Sequence, residues 1–154
     1  MLLIWRSAAC AAVLGVSAPV QSLPSAAAGD AGEVYVHVSD LRSGKGAVLA
    51  CLTANPQRFP KCSNDHNAKR VQVAASQTNA IVFRGVKPGR YAIAVLHDEN
   101  GNGKADRAMA MIPREGFGFS RDAKVKMGPP SFDDAAFAVK AGDTSMTITM
   151  RYML

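Results

Sequence analysis

Arg90-Tyr91-Ala92-Ile93-Ala94-Val95-Leu96-His97 decides the fold. On an extended chain Tyr91, Ile93 and Val95 face one way, and Ala92, Ala94 and Leu96 face the other. A run apolar on both faces, opened by the turn Gly85-Val86-Lys87-Pro88-Gly89, reads as a central strand. Upstream, Val34, Val36 and Val38 alternate with Tyr35, His37 and Ser39, the period of a half-buried strand. Residues 41–46 hold Gly44 and Gly46 and predict a turn. Residues 47–52 predict a second strand, 53–69 a long loop, and 71–75 and 79–84 two short strands. Downstream, residues 109–112 predict a short strand. Residues 113–130 read as a Gly- and Pro-rich excursion, and 132–139 as one helical turn that then extends. Met146, Ile148, Met150 and Tyr152 alternate with Ser145, Thr147, Thr149 and Arg151, a closing strand with one wet face. Short strands, frequent turns and no amphipathic helix predict an all-β fold, a single antiparallel β-sandwich over residues 29–154.

The first 28 residues have a different character. Arg6 is the lone charge before Asp30, and an apolar run follows from Ser7 to Val20. Ala26 and Ala28 meet the small-x-small rule, so residues 1–28 read as a secretory signal cleaved after Ala28. Pro19 and Pro24 break the run before it reaches the roughly 20 residues of a membrane span. The mature chain is expected to be exported, periplasmic or extracellular, with no membrane span. Cleavage removes Arg6 and takes the net charge from +6 to +5. That charge is scattered rather than clustered, and export argues against a nucleic-acid partner.

The composition, 48% hydrophobic and 19% charged, is that of a globular domain. The length of 154 residues excludes an enzyme with separate cofactor and substrate domains. After cleavage Cys51 and Cys62 remain. In an oxidising compartment they predict a disulfide that pins the 53–69 loop. A metal pair with His66, four residues past Cys62, is the alternative.

His97-Asp98-Glu99-Asn100-Gly101-Asn102-Gly103-Lys104-Ala105-Asp106 carries the ion chemistry. Asp98, Asn100 and Asn102 alternate and Gly103 follows, the opening of a calcium loop. Alternating short oxygen donors can wrap a hard cation, with the Lys104 carbonyl and Asp106 completing the set. Met109 stands where an EF-hand has its bidentate Glu, so a true EF-hand is rejected. Two carboxylates predict weak binding, on the order of 10⁻⁴ M or poorer. The competing reading is a metal-free polar turn, since Asn100-Gly101 and Asn102-Gly103 are good hairpin turns by themselves.

The 97–104 segment, taken with Ile112-Pro113-Arg114-Glu115-Gly116-Phe117-Gly118-Phe119-Ser120, resembles the bacterial domain of unknown function 2141 family. The resemblance extends over roughly residues 33–152 and implies a small exported immunoglobulin-like or transthyretin-like β-sandwich. It implies no established activity. Arg107-Ala108-Met109 departs from the polar or aromatic linker expected there.

The reading that follows is a non-catalytic exported module of the cell envelope, stabilised by a weak calcium site. Its contact rim would take Glu115, Phe117 and Phe119 toward an envelope protein or polysaccharide. One alternative is a small periplasmic hydrolase using His97, Asp98 and Glu99, although neighbours on a strand face opposite ways. Another is a periplasmic copper protein using Met109, Met111, Met127, Met146, Met150 and Met153. Against it, Met146 and Met150 lie on an apolar strand phase, where Met is ordinary core filler.

Overall fold

The computed structural model describes residues 30–78, 81–103 and 114–153. The predicted leader (1–28), the predicted strand at 109–112, Lys104 and Asp106 lie outside the described residues. Two sheets pack face to face as a β-sandwich. The first sheet has β1 (Gly32–Ser39) at its centre, between β4 (Ile81–Val86) and β8 (Thr144–Thr149). The second runs β3 (Lys69–Ala74), β2 (Ala47–Thr53), β5 (Gly89–Asp98), β6 (Gly116–Phe119). A three-residue strand, β7 (Phe137–Val139), pairs with the opening residues of β5.

The alternation seen in the sequence sets which side chains meet. Val34 and Val36 of β1, Val48, Ala50 and Leu52 of β2, and Ile93 and Val95 of β5 form the inter-sheet core. Ile81, Phe83 and Ile148 join them. The outer face of the second sheet is also covered. Ala92 of β5 and Phe117 and Phe119 of β6 pack under Phe132, Ala135 and Phe59 in a second apolar cluster. The helical turn expected at 132–139 is α1 (Phe132–Ala135), opened by a Ser131–Asp134 capping box.

Two features depart from the sequence reading. The ladder between β1 and β8 is parallel, from Val34↔Thr144 to Ser39↔Thr149, while the other strand pairs are antiparallel. The excursion at 113–130 contains a strand, β6, paired with β5 from Ala94↔Phe119 to His97↔Gly116. Glycine weakens a strand in isolation, so Gly116-Phe117-Gly118-Phe119 does not look like one. Packing explains the glycines. A Cβ at Gly116 would lie 2.3 Å from the Tyr152 ring, and one at Gly118 would lie 2.6 Å from Ile148 Cγ2. Beyond β8 the chain leaves β1 and bridges to β6. Phe117 N donates to Arg151 O at 3.0 Å, and Arg151 N donates to Phe117 O at 2.8 Å. The two sheets are thereby joined along one edge.

Candidate functional site

The candidate residues lie at one end of the sandwich, where β5 finishes. Asp98 is the last residue of β5 and is 2% exposed. Its Oδ1 accepts from Gly101 N at 2.8 Å and Asn102 N at 3.1 Å, and its Oδ2 from Gly103 N at 2.6 Å. Asn100 Oδ1 also accepts from Asn102 N, at 3.1 Å. The Asp98 carboxylate thus gathers the loop's backbone N–H groups around itself. Positive φ at Gly101 and Gly103 lets the chain turn those donors inward. Gly46 approaches this end so closely that a Cβ there would lie 2.0 Å from Asp98 O, and its φ is +69°.

His97 is fully buried. Its Nε2 lies 2.9 Å from Lys45 O, which can only accept, so Nε2 carries the proton. Nδ1 then accepts from the Tyr152 hydroxyl at 2.7 Å. The same hydroxyl oxygen accepts from Arg42 N at 3.2 Å, and the Arg42 guanidinium lies 4.5 Å over the Tyr152 ring. Burial pushes the Tyr152 phenol above its ordinary pKa.

Glu99 completes the cluster. Arg42 Nε donates to its Oε2 at 2.9 Å, Arg42 Nη2 forms an ion pair with the same oxygen, and Ser43 Oγ donates to Oε1 at 2.7 Å. The Arg42 and Ser43 donors outweigh desolvation and lower the Glu99 carboxyl to about 2. Arg42 Nη2 also donates to Arg114 O at 3.0 Å, tying in the chain that leads to β6. Glu115 is 4% exposed beside it.

The arrangement brings together His97, Asp98 and Glu99, as adjacency required, and adds Arg42, Ser43 and Tyr152. Nothing in the sequence signals that Tyr152 meets His97, because the pairing depends on the chain crossing from β8 to β6. Phe117 and Phe119, expected on a contact rim, are 8% and 6% exposed and belong to the second apolar cluster. Cys51 and Cys62 form a disulfide with Cα atoms 6.5 Å apart. Met146 and Met150 pack in the main core, and Met127 and Met153 are exposed; Met109 and Met111 lie outside the described residues. Among the described residues no group of three His, Cys, Asp or Glu converges on a metal position. No helix among them is long and apolar enough to cross a membrane.

The loop motif and the Gly-Phe-Gly-Phe strand thus stand side by side on β5, in one fold. A family model described as an uncharacterized protein conserved in bacteria (DUF2141) matches residues 36–147. The chain belongs to the DUF2141 family. That match spans both halves of the sandwich, from β1 into β8. No curated protein and no solved structure matches the chain significantly. Within this DUF2141 domain the two motifs therefore have a shared structural meaning: one ends the central strand, and the other pairs with that strand's final residues.

Proposed function

We propose that this DUF2141 chain is an exported, non-catalytic module of the cell envelope. Its loop end forms a pre-built contact surface for an envelope protein or polysaccharide. One observation carries the reading. The side chains suited to acid–base work are committed to structure: both nitrogens of His97, both oxygens of Asp98 and both oxygens of Glu99 hold neighbouring loops. A general acid or base needs a proton that can reach a substrate. A buried His97 between a carbonyl and a phenol does not offer one. Lys45 and Arg114 are exposed around this end and suit anionic envelope polymers.

The alternation of Asp98, Asn100 and Asn102 supports a weak calcium site at the same end. Thermal melts in EDTA and in 10 mM CaCl₂ test it. With a Kd of about 0.1 mM, that calcium level stabilises the fold by about 2.7 kcal/mol. A rise in wild type that vanishes in Asp98→Ala is expected. No rise in wild type would make the loop a metal-free turn organised by Asp98 alone. Cell fractionation tests export, with a product beginning at Gly29 in the periplasm or medium as the expected result. Full-length product confined to the cytosol would reject export. Hydrolase turnover lost in a folded Asp98→Ala variant would overturn the non-catalytic reading.

A further inference from the structure

The opposite end of β5 holds a second polar site. Tyr91 and His97 are six residues apart on one strand, about 20 Å at the rise of an extended chain. Near Tyr91 a cleft of about 360 Å³ opens between β5 and the loop after β2, lined by Ala54, Asn55, Pro56, Asp65, Asn67 and Tyr91. Its volume falls at the lower end of the roughly 300–1,000 Å³ of small-ligand sites.

We infer that this cleft binds one ring of a neutral saccharide. The chemistry of its wall selects that class. Tyr91 offers a half-buried aromatic ring, the plate on which the C–H face of a sugar rests. Asn55 and Asn67 offer primary amides, which both donate and accept, as sugar hydroxyls do. Asn55 Oδ1 takes Gln57 N at 3.0 Å, and neither amide nitrogen has a hydrogen-bond partner among the described residues. Asp65 supplies the fixed acceptor. It is 7% exposed, and its carboxylate takes Thr53 Oγ1 at 2.5 Å and Asn67 N at 3.0 Å. A carboxylate offers about four acceptor positions, so acceptor capacity stays open to a ligand hydroxyl.

Among the described residues no basic side chain lines the cleft, while the Asp65 carboxylate does, so the lining disfavours phosphates and anionic sugars. The walls set Asn55, Asp65 and Asn67 against any lipid tail, which could not pair them. They are also held in place before any ligand arrives. The Cys51–Cys62 disulfide ties the loop to β2, and Arg70 Nη2 donates to Cys62 O and, at 3.2 Å, to Asp65 O. Such preorganisation lowers the cost of binding. The inference does not depend on export or on calcium, and it concerns the end of the molecule remote from the loop cluster.

Saturation-transfer difference NMR on the purified protein tests it, with maltohexaose, cellohexaose and N-acetylchitohexaose as probes. Sugar-ring protons of at least one probe are expected to saturate with wild type. Asn67→Ala and Tyr91→Ala are expected to weaken that probe roughly tenfold, the worth of a hydrogen bond or a ring contact. Arg114→Ala, at the other end, should leave it unchanged. Asn67 is exposed, so its variant carries the test even if Tyr91→Ala unfolds. No saturation with any probe overturns the inference, as does an unchanged signal in Asn67→Ala. Loss in Arg114→Ala alone would move saccharide binding to the loop end and overturn it equally.

Discussion

Replacing Gly116 by Ala probes the cluster through its tightest contact. The new Cβ would lie 2.3 Å from Tyr152 Cε1 and 2.5 Å from Cζ, so the ring has to move. Overpacking of this kind costs about 1–3 kcal/mol. Moving the ring also withdraws the hydroxyl from His97 Nδ1, and a buried acceptor left without its donor costs about 1–3 kcal/mol more. The expected loss is about 2–6 kcal/mol, a large part of the roughly 5–15 kcal/mol that holds a domain together. Trp5, the single tryptophan, falls within the proposed leader, so urea unfolding of the mature chain is best followed by far-UV circular dichroism. Tyr152→Phe separates the two contributions. It removes the hydroxyl but keeps the ring, so Gly116→Ala should cost about 1–3 kcal/mol less in that background. A Gly116→Ala protein within about 0.5 kcal/mol of wild type would refute the close contact. An equal cost in both backgrounds would refute the link from β6 through Tyr152 to His97.

Acid should weaken the loop end through Glu99. Its carboxyl lies at about 2 in the fold against an ordinary 4.5, so its contribution is complete above the unfolded value and fades as pH falls toward 2. With the Glu99 side chain 22% exposed, about 1 kcal/mol is expected after solvent screening. Urea midpoints from pH 6 to pH 2.5 should fall more steeply for wild type than for Arg42→Met, and parallel curves would count against the pair. Asp65, held down chiefly by Thr53, acts in the same direction but equally in both proteins. Reducing the Cys51–Cys62 bond should cost about 3 kcal/mol for so short a closure. It should also free Phe59, whose ring lies 5.9 Å from that of Phe119, so an apolar dye should bind more strongly. Unchanged urea midpoint and dye signal on reduction would show that the loop is held by packing alone.

The strands whose side chains alternate were legible in the sequence, because period-2 patterning is a local signal that burial reinforces. Val34 and Val36, Ile93 and Val95, and Ile148 and Met150 are all buried in the main core. The helical turn at Phe132 was legible for a similar reason, since the residues that start it lie within three positions of one another. β6 was not. Its glycines answer to Tyr152 and Ile148, more than 25 residues further along the chain. The meaning of Asp98 was only half legible. Its spacing from Asn100 and Asn102 suggests oxygen donors around a cation, but carries no signal that the carboxylate also receives three backbone N–H groups. Phe117 and Phe119 were expected on a contact rim, and what buries them is the overlying Phe59 and Phe132, distant in sequence. The cleft at Tyr91 was missed because Asn55, Asp65 and Asn67 read simply as loop residues.

The parallel ladder between β1 and β8 has a mechanical consequence. The chain enters β1 beside the start of β8 and leaves β8 beside the end of β1, so the domain is threaded from one pole to the other. Tension between entry and exit pulls these two strands along their length in opposite directions. The hydrogen bonds from Val34 to Ser39 then bear the load together, in shear, instead of opening one after another like a zipper. Pulled from its two ends, a domain strung this way resists stretching with the whole β1–β8 ladder at once.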